Sequence, residues 1–293
     1  MVPVLARSLT TFLIVIVASV DSIWYVYGIV PATLSPSTLP TGLDDATVMI
    51  ERHNGGRAAA LASELRGAQY AATALEQNSG DVEWISPRAV AHDRVLTWAS
   101  DLGPVVPLPM FSLFSGRDAV HTMLRDRSTQ LESALAWLER GREYALRVYR
   151  VDAELLAVIA SLSPRLEELA NAAAAASPGQ RYLLERKLDA EKRAELRGVT
   201  QRIVDDIMRT LSAHARKGLR SPIPKVSDAA TASRGAMVLN AAFFVAPDTM
   251  DSFQKTLTAL VAEHGAHGFR FDFTGPWPPY HFANLAEQTS HDA

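Results

Sequence analysis

Apolar and polar positions along the chain alternate between two signatures, one of strands and one of helices. Ser22 to Val30 (SIWYVYGIV) is β-branched and aromatic without clean alternation, the pattern of a strand buried on both faces. Pro31 to Gly42 is loop by composition and His53 to Arg57 is a turn. Ala58 to Leu65 (AAALASEL) has helical propensity. Ile85 to Gly103 predicts a helix, with Ser86 as N-cap and Pro87 at the first position. Val90, Val95, Leu96 and Trp98 form its apolar side, and Gly103 is its stop. Pro104 to Phe114 predicts a strand interrupted by prolines, hence at an edge or bulged. Ser115 is expected to cap the next helix, with Asp118 in the first turn, where the helix dipole favours an acid. Val120, Leu124, Leu131, Leu135 and Leu138 are its buried face, and Gly141 ends it. Arg142 to Val151 alternates Tyr144, Leu146 and Val148 against Arg147 and Arg150, a half-buried strand.

The second half repeats the theme with a helical insertion. Asp152 to Leu162 is a short apolar helix, and Glu167 to Ser177 is an alanine-rich one broken by Pro-Gly-Gln. From Arg181 to about Leu219 one long helical pattern carries a narrow stripe: Leu184, Leu188, Leu196, Val199, Ile203, Ile207 and Leu211. Its charged beginning, ERKLDAEKRAELR, reads as a solvated helix face that projects, paired in a hairpin with the alanine-rich segment. Gly235 to Ala246 is a strand pair or one long strand. Asp248 to His264 is an amphipathic helix with Met250, Phe253, Leu257 and Leu260 inward, and Gly268 to Gly275 a one-sided strand.

That last strand runs into GPWPPYHFA. Prolines remove donors and fix φ, so Gly275 to Tyr280 is expected to be stiff, extended and unable to pair its backbone. Its aromatics then need cover from side-chain packing. The segment is either a strap laid over a sheet or a contact surface in which Trp277, Tyr280 and Phe282 meet a partner protein.

The 293 residues suit two domains. The 48% apolar and 21% charged shares are those of a globular chain, and a net charge of −3 gives no footprint for nucleic acid. The lack of cysteine removes disulfides, thiolate nucleophiles and cysteine zinc sites. The boundaries read as an apolar extension (1–20), an N-terminal α+β domain (21–141), a C-terminal α+β domain (142–283) with a helical insertion at about 152–220 and the terminal strap, and a polar tail (284–293). Strand and helix order suggests the ferredoxin-like kind of sandwich. In the extension, Arg7 precedes the apolar run Phe12 to Ala18, too short for the ~20 residues of a spanning helix. A cleaved secretory signal, a buried strand or extension, and a start placed too far upstream all fit it.

A catalytic kit is hard to assemble. No G-x-S-x-G elbow, phosphate loop or H-E-x-x-H is present. His264 and His267 make a pair at a helix end, where the dipole accounts for them. No catalytic, cofactor-binding or metal-binding residues, and no cofactor, are assigned.

Four segments carry a resemblance. GFRFDFTGPWPPYHFA, WYVYGIV, EYALRVY (Glu143 to Tyr149) and PLPMFSLF (Pro107 to Phe114) resemble, in order and spacing, the motifs of the gas vesicle protein GvpL/GvpF family. The resemblance spans about Ile23 to Ala283. It implies two α+β domains related to the ferredoxin fold, the second with a long, coiled-coil-like helical projection. It also implies a strand, not a helix, for Ala58 to Leu65. The implied role is that of an accessory or minor structural protein of gas vesicles, the hollow shells that give cells buoyancy. Such a protein binds the hydrophobic shell protein and assists nucleation or prevents aggregation. The partners implied are that shell protein and other gas vesicle accessory proteins, in the cytoplasm, with neither nucleic acid nor membrane. Gas vesicles assemble in the cytosol, so the apolar extension argues for a misplaced start or an unusual member. One departure stands out: Phe111 occupies the position of a family glycine. Two other classes remain in play: an enzyme on a ferredoxin-like scaffold with His281 or Asp272 as proton carrier, and a membrane-tethered helical scaffold resting on Phe12 to Ala18.

Overall fold

The computed structural model describes residues 22–224 and 234–283. The apolar extension and the polar tail lie outside the described residues. The chain divides into two compact units, one built from residues up to Arg142 together with the segment from Trp277 onward, the other from Glu143 to Pro276. It is an α+β protein with two antiparallel sheets.

In the first unit, β1 (Ser22–Pro31) lies inside a sheet of order β2-β3-β1-β4, with β2 at Met49–Arg52, β3 at Ala58–Arg66 and β4 at Val106–Pro107. A second short strand, β5 (Leu113–Phe114), also pairs with β1. β1 is buried along eight successive residues, as expected of a strand covered on both faces. Its register against β3 shifts between Val26 and Gly28. A Cβ at Gly28 would come within 2.8 Å of Leu96 Cδ2 and 2.9 Å of the Val106 carbonyl, so the bulge needs glycine. The connection from β1 to β2 holds one three-residue helical turn, Leu43–Asp45, where a ferredoxin-like order would place a helix.

Ala58–Arg66 is a strand despite its helical composition. β1 and β2 pair with its two sides, and that ladder outweighs a propensity difference of a few tenths of a kcal/mol per residue. Helices cover both faces: α2 (Val82–Leu102), after the short α1 (Ala72–Asn78), meets β1, while α3 (Arg117–Asp126) and α4 (Ser128–Leu138) meet β3. Ala58, Ala60 and Ala62 are almost fully buried, methyl groups that let these layers come close.

Several expected boundaries move. α2 starts at Val82, and Asp81, not Ser86, is its cap, accepting from the amides of Glu83 (2.9 Å) and Trp84 (3.3 Å). Pro87 sits inside the helix near its start, where one intrahelical bond is given up. Val90 is 60% exposed and belongs to the solvent side. α3 is capped at Gly116 without any side-chain bond, so Ser115 is not its cap. The single expected helix is two, broken at Arg127, yet Val120, Leu124, Leu131, Leu135 and Leu138 are all buried.

The second unit has sheet order β7-β8-β6-β9: β6 at Arg142–Arg150, β7 at Lys217–Arg220, β8 at Ala236–Val245 and β9 at Phe269–Trp277. Between β6 and β7 run α5 (Asp152–Val158), α6 (Pro164–Ala175) and α7 (Pro178–Ser212). α8 (Met250–Gly265) follows β8. Pro178 ends the alanine-rich helix and also opens α7 as its first residue. The 35 residues of α7 stop at Ser212, and Lys217–Arg220, expected to be helix, pair with β8 instead. Its C-terminal half is core: Val199, Ile203, Ile207 and Leu211 pack with Leu146, Val148, Phe243, Phe253 and Phe269. The N-terminal half packs on α6, an antiparallel hairpin tied by Arg165 to Glu191 at 2.6 Å.

Candidate functional site

The C-terminal strap is the segment for which sequence chemistry is most unusual. β9 places Phe269, Phe271 and Phe273 against the core of the second unit and continues through Gly275 and Pro276 to Trp277. The strand was expected to stop at Gly275. It can continue because β9 is an edge strand, where proline's missing donor is not needed. Gly275 has φ +130, open to glycine, and the Gly275–Pro276 peptide is cis. Beyond Trp277 the chain is not extended. It turns tightly, with the Tyr280 amide donating to the Pro278 carbonyl (2.7 Å) and the Ala283 amide to the Pro279 carbonyl (2.9 Å). This segment, expected to close the second unit, lies with the first.

The three candidate contact residues have different surroundings. Phe282 is fully buried, its ring 6.3 Å from that of Trp137, so its side chain offers nothing to a partner. Tyr280 is half-buried against the core of the first unit and donates its hydroxyl to Asp93 Oδ1 of α2 at 2.6 Å. Trp277 is 40% exposed. Of the three, Trp277 alone keeps a large apolar face in water.

Inside the first unit, β1 supplies two buried tyrosines. Tyr25 Oη lies 2.7 Å from Nδ1 of the buried His92 and accepts the Phe111 amide at 3.3 Å. Burial holds His92 down at about 4, only partly offset by hydrogen bonding to the Leu108 backbone carbonyl, so the ring is neutral near pH 7. The same desolvation raises Tyr25 well above the ordinary phenol value. Tyr27 Oη donates to Ser63 Oγ (3.0 Å) and accepts the Leu43 amide (2.8 Å). Nearby, Arg88 pairs with Asp44 (2.9 Å) and lies 4.1 Å over Trp84, whose ring stacks with Phe111 at 5.5 Å. Tyr70 donates to Asp44 at 2.6 Å, and its phenol is raised, by burial first and then by that carboxylate. None of these polar groups is marked in the sequence beyond the aromatic run of β1. Their hydrogen-bond partners are 16 to 86 residues apart along the chain, which no local pattern reveals.

These groups are satisfied by one another, the arrangement of a specified core rather than a site open to substrate. Among the described residues no cluster of three histidine or acidic side chains is arranged to hold a metal ion, and no helix is long and apolar enough to cross a membrane. Asp272 is in an ion pair with Arg234 at 3.1 Å, and His281 is exposed. His264 is buried beside His267, its ring nitrogens without hydrogen-bond partners and Asp206 4.0 Å away. Burial, the largest influence, lowers its pKa.

Known proteins share this arrangement. The crystal structure of gas vesicle protein GvpF from Anabaena sp. superposes with a TM-score of 0.64 at 21% identity, covering 89% of this chain and 98% of that one. GvpF from Microcystis aeruginosa gives 0.59 at 19%, covering 90% and 99%. At that identity the likeness concerns the fold. In sequence, the chain is 27% identical over 279 residues to gas vesicle protein L of Streptomyces sp., covering 94% of this chain and 97% of that protein. It is 26% identical over 270 residues to gas vesicle protein L1 of Halobacterium salinarum, covering 88% and 89%. Residues 23–284, from the start of β1 through the strap, match the profile of gas vesicle synthesis protein GvpL/GvpF, and the chain belongs to that family.

Proposed function

We propose that the chain is a non-catalytic assembly or minor structural protein of gas vesicles, one that binds the small hydrophobic shell protein and assists its nucleation or keeps it from aggregating. Family membership makes this a gas vesicle protein, and the match over residues 23–284 is the observation that supports the finer reading. Near-complete coverage of the Streptomyces relative, 97%, supports a role shared across the whole length. Assembly in the cytoplasm, on the growing vesicle, is the location that goes with it, and other gas vesicle accessory proteins are further partners.

Within the strap, Trp277 is the contact residue, with Tyr280 holding the segment in place and Phe282 anchoring it from inside. Prolines on either side of Trp277 limit the entropy lost when a partner orders it. The test is co-purification of the full chain with its shell protein, together with vesicle formation after deletion of the gene. Absence of association and normal vesicles would sink the proposal. Trp277→Ala then asks about the surface: binding lost with stability kept assigns the contact to the strap.

A further inference from the structure

α7 has a side that none of the described residues covers. Its half-buried residues Leu184, Leu188, Glu191 and Glu195 mark the flank that meets α6, the two acids pairing with Arg165. At 100° per residue the opposite flank carries Arg186, Arg193 and Arg197, all exposed, while Lys187 stands to one side of it. Tyr182 (60% exposed) and Leu183 (66% exposed) stand at its N-terminal end. Among the described residues, none of these three cations has an ion-pair or hydrogen-bond partner. Glu185 and Asp189 border the row, and Asp189 is engaged with Lys192 at 3.8 Å. From Arg186 to Arg197 the row runs roughly 16 Å along the helix axis.

We propose that this face docks an acidic helical segment of another protein. Three features choose that occupant. The cations form a line one helix wide, which matches carboxylates repeating on a helix rather than a broad surface. Ala190 is exposed between them, so a second backbone can come close. Tyr182 and Leu183 at one end supply an apolar anchor that fixes direction. An anionic membrane fits less well: two apolar side chains at one end do not make the continuous apolar face that interfacial helices bury, and the whole chain is net negative at −3. Unpaired cations on an otherwise acidic protein steer an acidic partner to this helix. The inference does not rest on shell-protein binding by the strap.

The experiment uses the full chain and a labelled helical peptide of Glu-Ala-Ala-Leu-Glu-Ala-Ala repeats, read by fluorescence anisotropy at low salt. The same peptide with Lys for Glu, and vesicles containing phosphatidylserine, are the comparison probes. The expected result is saturable binding of the acidic peptide that weakens with salt. Combined Arg186→Glu, Arg193→Glu and Arg197→Glu reduces it at least about tenfold and confers binding of the Lys peptide. The milder Arg193→Gln with Arg197→Gln, read the same way, gives a smaller loss if the triple variant does not fold. No binding of the acidic peptide, equal binding by the Gln variant, or binding of vesicles in its place overturns the proposal. Shell-protein pull-down by the same variants stays at the wild-type level, which keeps failure here separate from failure of the strap reading.

Discussion

Tyr280 donates its hydroxyl to Asp93 across 187 residues of sequence, at 2.6 Å, and so ties the C-terminal strap to α2. The bond is charge-assisted and partly shielded from water, the condition under which such bonds are strongest. Tyr280→Phe is expected to lower stability of the first unit by about 1–2 kcal/mol. Asp93→Ala should lower it similarly, and the double variant should cost little more than either alone, because the same bond is lost. Urea titration of the four proteins checks this. Fully additive losses would show that the two side chains do not act on each other.

Phe282 and Trp277 lie five positions apart but in different surroundings. Phe282→Ala empties a fully buried site beside Trp137 and is expected to cost about 3–5 kcal/mol. Trp277→Ala, at a residue 40% exposed, should cost about 1–2 kcal/mol. Thermal melts of both variants decide it. Equal losses would place Trp277 in the core and remove it as a contact residue.

That contrast marks the limit of what the sequence alone disclosed. Helix faces with a 3.6-residue period were legible: Phe253, Leu257 and Leu260 of α8 are buried, as their spacing implies. So was β1, whose unbroken apolar run has one physical explanation, cover on both faces. Ala58–Arg66 was not legible from its residues, because its state depends on backbone partners in β1 and β2. Lys217–Arg220 was missed for the same reason, its partner β8 lying further along the chain. The strap has no period at all, so nothing local says which of its aromatics points inward. The Asp44–Arg88–Tyr70 cluster rests on pairings 18 to 44 residues apart and left no mark in composition.

His92 gives the first unit a pH dependence with a definite sign. Its folded pKa of about 4 is below the ordinary 6.5 of an unfolded chain. Between those values the unfolded state binds more protons, so stability is full above pH 6.5 and falls as pH drops through 4. The contribution lost between pH 7 and 4 is about 3 kcal/mol. His264, also lowered by burial, acts in the same direction in the second unit. His92→Gln should flatten the slope of unfolding free energy against pH in this window, relative to wild type. An unchanged slope would mean that His92 protonates as easily folded as unfolded.

Phe111 tests whether backbone strain is stored where the chain turns between β4 and β5. Its φ of +66 is in the left-handed region, which costs an L-residue roughly 1–2 kcal/mol. The family resemblance puts a glycine there, the residue that adopts this region freely. Side-chain contacts offset the cost: Phe111 stacks on Trp84, meets Tyr25 edge-on at 6.4 Å, and has its amide held by the Tyr25 hydroxyl. Phe111→Ala removes the contacts and keeps the strain. Phe111→Gly removes both, less the roughly 0.5–1 kcal/mol that glycine's freedom adds to the unfolded chain. Both variants should be less stable than wild type, but Gly should exceed Ala by up to about 1 kcal/mol, the reverse of their order at an ordinary position. Denaturant titration of the pair measures it. If Ala proves the more stable of the two, the turn carries no strain, and the aromatic cluster is packing alone.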